Sequence, residues 1–338
     1  MAASSRSGSN PSGSGKKFWL LGGAIVLAIA LYTGGWFYAA SALKTTVLKA
    51  IAPRDQAGVV GECSDIEFRG YPFRIGLFCS KVDVDDNING VSATFGALRS
   101  AAQVYAPGHI VWELDSPAEI RTTNGLSISA QWTNMQSSLA TRLQGIDRSS
   151  TVIEGLKAMA VSSFTGQTVS FDAARTEIHL RQNGADLDGA ISVQDANTAI
   201  KDWPQIFPKM SASIDLTVAG KAGLIDGSDP NGLNGASGEL RRIVADIGDG
   251  KVMTLTGPFS FDEQGLLSGK FKLEIERLGP WGDSLKQAFP DIASTVNTAT
   301  KLLKSLAGGG DKVSVDLVVD RGNATVSGFI PLGKIPPI

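Results

Sequence analysis

The chain changes its pattern of apolar and polar positions once, early, and the change divides it in two. From Phe18 to Leu43, 26 consecutive residues carry no charge. As a helix rising 1.5 Å per residue, this run would extend roughly 39 Å, against a hydrocarbon core of about 30 Å, so it can cross a bilayer with tilt to spare. Helical spacing continues through Leu43, Val47, Leu48 and Ile51, and Pro53 sets the stop. Beyond it the period shortens to two. Ile110, Trp112 and Leu114 alternate with His109, Val111, Glu113 and Asp115. Ala212/Ile214/Leu216/Val218, Phe271/Leu273/Ile275 and Val313/Val315/Leu317/Val319 are interleaved mainly with polar residues in the same way. Such alternation belongs to strands with one wet and one apolar face.

Turn signals punctuate the strands at Asn124-Gly125, Asn183-Gly184, Asp249-Gly250, Gln264-Gly265 and Arg321-Gly322. Three of them share a cadence, 183–189, 264–269 and 321–328, which reads as a repeated hairpin unit. Two stretches keep helical spacing instead: Asp195 to Trp203, closed by Pro204, and the stripe Ile292, Val296, Ala299, Leu302, Leu303, Leu306, closed by Gly308–Gly310. The second reads as a helix covering the apolar face of the sheet, or as a lid over a groove in it. The expected fold is therefore mainly β (α+β). An N-terminal transmembrane helix precedes an extended, curved antiparallel sheet of repeated hairpins with a few packed helices. Residues 1–17 read as a disordered Ser/Gly-rich tail, 18–43 as the span, and 44–338 as one β-rich body with a Gly/Asn-rich loop at 226–235 as the place for any subdivision.

Arg6, Lys16 and Lys17 precede the span, which keeps the N-terminus in the cytoplasm by the positive-inside rule and exports the body. The competing reading is a cleaved leader ending at Ala40-Ser41-Ala42. The run is longer than the 7–15 residues typical of a signal core and carries Trp36, Phe37 and Tyr38 just before the cut, which favours retention.

Cys63 and Cys79 each lie eight residues from Tyr71. Two strands around a Gly70-Tyr71-Pro72 corner would set them opposite each other, and this predicts a disulfide, with two unpaired core thiols as the alternative. Closing a loop of about 15 residues contributes on the order of 3 kcal/mol in the chain-entropy picture and implies an oxidising compartment.

Composition removes several function classes. A net charge of −2 gives no electrostatic case for nucleic acid. Two His and two Cys leave little from which to build a transition-metal or thiol enzyme, and both histidines, His109 and His179, sit among polar neighbours on strand faces. Asp85, Asn87, Asn89 and Gly90 match the first half of a calcium loop, but Gly96 stands where the bidentate Glu belongs, and Asn89-Gly90 reads better as a hairpin turn. No nucleophile elbow, zincin, Walker or dinucleotide motif occurs, and Ser41-Ala-Leu-Lys44 falls where the span ends. Carboxylate groups at Asp83, Asp85 and Asp86 and at Glu274 and Glu276 read as solvated charge on strands and turns. No enzyme, cofactor or metal is expected.

The Cys-containing strand, the stretch Gly70-Tyr-Pro-Phe-Arg74, the preceding anchor and the closing segment Val319 to Gly333 together resemble an alphaproteobacterial envelope family known as domain of unknown function number 2125. The resemblance implies a bacterial inner-membrane protein with a periplasmic body and supplies no catalytic residues. More loosely, the strand–turn–strand layout is similar to AsmA-like envelope proteins, whose long curved sheets carry an apolar groove associated with lipid movement. The leading expectation is an anchored protein that binds or conducts an apolar envelope ligand such as lipid along its sheet, with Trp112, Phe271, Leu273 and Ile275 on the groove. The alternative is a non-catalytic scaffold whose strand edges recruit an envelope protein partner.

Overall fold

The computed structural model describes residues 14–51, 59–142, 145–202, 208–229, 232–306, 310–328 and 330–338. Helix α1 (Ser14–Ile51) contains the whole apolar run and reaches the stop expected before Pro53. It begins before the run, so Ser14–Lys17, expected to be disordered, are helical. Two consecutive lysines are good helix formers and extend it on the polar side. The rest of the expected tail, residues 1–13, lies outside the described residues.

Apart from short helical segments, the other described residues form one antiparallel meander, each long strand pairing with the next along the chain. The first five long strands are each broken in two. They are β1 (Val59–Ser64) with β2 (Glu67–Arg69), β3 (Arg74–Cys79) with β4 (Lys81–Asp86), β5 (Val91–Phe95) with β6 (Leu98–Gln103), β7 (Ala106–Leu114) with β8 (Ala118–Thr122), and β9 (Leu126–Gln131) with β10 (Asn134–Arg142). Unbroken strands follow: β11 (Gly145–Ser162), β12 (Thr168–Asn183), β13 (Asp186–Ile200), β14 (Met210–Val218), β15 (Ser237–Asp246), β16 (Val252–Phe261), β17 (Leu267–Ile275), β18 (Val313–Asp320), β19 (Asn323–Val326) and β20 (Ile330–Lys334). The half-strands form two rows, β1-β4-β5-β8-β9 and β2-β3-β6-β7-β10. Both rows end on β11, whose first half pairs with β10 and second half with β9. The sheet is open and curved, as the alternating pattern predicts. All five sequence-predicted turns join consecutive strands, and the glycine of each has positive φ.

The breaks line up into a crease, and the sequence explains it. The apolar alternation changes phase at the breaks between β3 and β4 and between β5 and β6, and again within the continuous β11 and β13: Cys79 is followed by Val82, Phe95 by Leu98, Ile153 by Leu156 and Val193 by Ala196. One extra residue flips every later side chain to the opposite face unless a bulge absorbs it. Absorbing it falls to Ser80, Gly96-Ala97, Gly155 (φ 63°) and Asp195 (φ 51°). The ladder is stitched through the crease by Ser80 N to Ser64 O (2.9 Å), Gly96 N to Asp115 O (3.1 Å), Thr133 N to Glu154 O (2.8 Å) and Trp132 Nε1 to Leu114 O (2.7 Å). Gly96 is obligatory here, because a Cβ would sit 2.6 Å from the Asp115 carbonyl oxygen.

The helix expected at 195–203 is a correction. Residues 195–200 are the end of β13, with Ala199 paired to Ser170 and Ile200 to Val169; Trp203 lies outside the described residues. The bulge at Asp195 re-phases Ala196, Thr198 and Ile200 into alternation, and pairing with β12 decides between two periods that nine residues cannot separate. A helix the pattern did not reveal, α2 (Leu278–Ala288), follows β17. Its Gly279-Pro280 reads as a breaker, yet Pro is tolerated in a first turn. Helix α3 (Ala293–Leu306) matches the expected stripe. The 226–235 loop lies in the β14–β15 connection, and those strands pair from Ser211↔Asp246 to Val218↔Gly238.

Candidate functional site

The pairing register turns separate alternations into continuous rows. Trp112 pairs with Ser137, then Thr151, Ile178, Ile191, Ile214, Ile243, Leu255, Leu273 and Val315, across ten strands from β7 to β18. A neighbouring row runs Met135, Ile153, Thr176, Val193, Ala212, Ala245, Met253, Ile275, Val313. All of these side chains share one face. Ser137 and Thr176 on it are 5% and 8% exposed, while Gln136, Ser138 and His179 on the other face are exposed. With no second layer over this region among the described residues, that asymmetry means the sheet curls toward its apolar face.

The four residues predicted for a groove fall on this face at two places. Trp112 is half-buried near the start of the first row, and Leu273 near its end. Phe271 and Ile275 flank Leu273 and are closed in: Phe271 (6% exposed) packs with Leu240, Val319 and Ala324, and Ile275 with Leu278, Val313, Val315 and Val326. Helices α2 and α3 cover that end, bringing Leu278, Trp281 and Leu303 onto it. Between the two places the cover runs out. Ile214, Ile243 and Leu255 are half-buried and pack against the Leu240–Phe271 cluster, whereas Ile178 is half-buried outside both clusters and Ile191 is 41% exposed. The hydroxyl of Thr176 is buried in this strip without a hydrogen-bond partner. Beside it, Phe171, Val193, Ala196 and Met210 line a mainly apolar cavity of about 180 Å³.

The disulfide Cys63–Cys79 is formed, with Cα atoms 5.3 Å apart. The expected geometry needs correcting. Cys63 is paired in register with Val82 and not with Cys79, because β1 pairs with β4 while β2 pairs with β3. The Gly70-Tyr-Pro corner turns the β2–β3 hairpin only, where Phe68 faces Leu77. The bridge therefore crosses the crease diagonally and ties the two rows of half-strands together at the sheet's first edge.

That corner also meets the anchor. The Tyr32 hydroxyl donates to the Pro72 carbonyl (2.5 Å), Thr33 Oγ1 lies 2.7 Å from the Tyr71 hydroxyl, and Trp36 Nε1 donates to the Arg74 carbonyl (2.9 Å). Tyr71 stacks on Phe37 with ring centroids 5.9 Å apart and meets Trp36 edge-on. Trp36 and Ala40 are buried as a result, the rest of the apolar run staying largely exposed.

The opposite face is a ladder of ion pairs that the sequence did not disclose. Arg99 binds Asp115 (2.6 Å) and Glu113 (3.3 Å), Arg175 binds Glu177 (2.5 Å) and Glu154 (3.0 Å), and Asp188 lies between Arg181 (2.6 Å) and Arg241 (3.1 Å). Hydrogen bonds from Arg181, then from Thr217 and Arg241, outweigh burial and hold the Asp188 carboxyl down at about 2. A shallow hollow of about 700 Å³ opens on this face, lined among others by Arg74, Phe78, Arg99, Val111, Gln136 and Arg175. Carboxylate shifts at Asp86, Glu177, Asp188 and Glu274 are all downward, because each accepts hydrogen bonds in its charged form. Asp86 caps its own turn, accepting from the Ile88 and Asn89 amides at 3.0 Å, and Glu276 pairs with Lys312. Among the described residues, no group of three or more His, Cys, Asp or Glu is placed to hold a metal.

These features define a class: one apolar helix of membrane-spanning length joined to a disulfide-stapled, open antiparallel sheet whose apolar face is covered at one end only. Within it, the chain belongs to a family of uncharacterised proteins conserved in bacteria, DUF2125, whose model matches residues 36–336. No curated protein and no solved structure matches the chain, and the expected resemblance to AsmA-like proteins is not shown.

Proposed function

We propose that the protein is held in the bacterial inner membrane by α1, with its sheet in the oxidising periplasm, and that the open apolar strip holds the acyl chains of an envelope lipid. One observation carries this reading: a row broken only by Ser137 and Thr151 is otherwise apolar across ten strands in register, yet its Ile178 and Ile191 lie outside both core clusters. Leaving so much contiguous apolar surface in water costs about 25 cal/mol per Å², and patches of this extent mark binding grooves. The disulfide and the basic flank Lys16-Lys17 support the compartment and the orientation. The strip is long and directionless, with one unpartnered hydroxyl at Thr176; such a surface suits a flexible hydrocarbon better than a compact polar substrate.

Photo-activatable phospholipid added to membranes containing the full chain tests this. Cross-links mapping to β12–β15, around Ile178, Ile191 and Ile214, are the expected result, and cross-links confined to α1 overturn it. The scaffold reading has its own observation. Among the described residues, strand β20 pairs on one side only, and it exposes Leu332 at 57%. Protein cross-links at β20 with none from lipid to the strip would favour it.

A further inference from the structure

The contacts between α1 and the β2–β3 corner fix where the sheet stands relative to the anchor. Measured along the helix from Phe18, Tyr32 lies about 21 Å and Trp36 about 27 Å into the apolar run, and the hydrocarbon core is about 30 Å thick. The corner that these residues hold therefore lies in the far leaflet of the same bilayer, from about 9 Å (Tyr32) to about 3 Å (Trp36) short of its far boundary, and cannot be raised clear of it without breaking three hydrogen bonds. What the corner presents there is aromatic: Tyr71 is 45% exposed and Phe73 70%. The β6–β7 turn lies alongside, its Val104 amide donating to the Phe73 carbonyl (3.0 Å), and it offers Tyr105 at 77% exposed.

We infer that Tyr71, Phe73 and Tyr105 form a foot that inserts into the interfacial layer of the membrane that α1 crosses. Tyrosine and phenylalanine rings are stable at that depth, with apolar bodies among upper acyl chains and hydroxyls among headgroups. Membrane lipid is the occupant because the foot is continuous with the buried end of the span. A helix and two turns are then three points of attachment, and they set the long strands rising from the bilayer instead of lying across it. The foot requires α1 to be membrane-inserted but is independent of what fills the apolar strip.

The test reconstitutes the full chain in phosphatidylethanolamine/phosphatidylglycerol vesicles whose acyl chains are brominated. Phe73→Trp and Tyr105→Trp are compared with Phe164→Trp, which is 79% exposed in the β11–β12 connection at the other end of the strands. Each added tryptophan is read as the difference from the parent chain, and quenching of the parent chain, whose α1 carries Trp19 and Trp36, reports that α1 is inserted. Loss of most of the added emission at 73 and 105, with none at 164, is expected. An unquenched tip tryptophan in an inserted chain, or equal quenching at 164, overturns the foot. Where Phe73→Trp fails to fold, Tyr105→Trp decides alone.

Discussion

The two ends of the sheet are written in the same alternating code and solve the same problem differently. At the β15–β18 end, Phe271, Ile275 and Val313 are enclosed by neighbouring strands and by α2 and α3, and Val313 is 1% exposed. At the β7–β13 end, Trp112, Ile178 and Ile191 share the same rows but have no helix over them, and Ile191 is 41% exposed. One end is a finished core. The other is held in shape by a crease, a disulfide and an ion-pair ladder on its back, all of which fix backbone geometry without consuming the apolar face. The contrast teaches that one alternating code ends in a closed core where helices reach it and in a half-buried face where they do not.

Substitutions should separate the two ends. The largest effect is expected at the covered end: Phe271→Ala should lose about 3–5 kcal/mol, as deletion of a buried aromatic does, read as a lower denaturant midpoint. Removing the staple by a Cys63→Ser/Cys79→Ser double change should cost on the order of 3 kcal/mol. Hydrogen exchange should rise in β1–β6 before it rises in β15–β18; uniform loosening would show that the two ends do not differ in how they are held.

Next comes the ladder. The Asp188 carboxyl is at about 2 in the fold and about 3.9 when unfolded, so its charge stabilises the native state by roughly 2–3 kcal/mol above pH 4. Because the folded value is the depressed one, that contribution is fully present above the unfolded pKa and is lost as pH falls from about 4 to about 2. Asp188→Asn should lose stability at pH 7 and flatten this part of the acid unfolding curve. An unchanged curve would show that the ladder contributes nothing measurable. The smallest stability change is expected on the open strip: Ile191→Ser should cost under about 1 kcal/mol, as at a half-exposed site, while sharply reducing lipid cross-linking. A large loss of stability there would mean that Ile191 is core after all and that the two ends are alike.

Local reading went far for this chain because its strongest signals are short-range. The span is legible in 26 uncharged residues, the hairpins in Asn-Gly and Asp-Gly pairs, and the strand faces in period-two alternation. Where it failed, the deciding contact was distant. Residues 195–200 carry two periods at once, and only β12 selects the strand. Symmetric spacing around Tyr71 found the right cysteine pair for a geometry that β4 alters. Arg181, Asp188 and Arg241 are spread over three strands, and nothing in their spacing announces that they meet.

By itself, then, the sequence determined an apolar helix of membrane-spanning length, a one-faced antiparallel meander and the choice of cysteine pair, because each depends on neighbours close along the chain. The tertiary structure decided which alternations join into one surface, where helices cover it and where they stop, and which turns stand against the anchor. Those outcomes are set by register summed across ten strands, where a slip of one residue exchanges the apolar face for the charged one. No local pattern contains that sum.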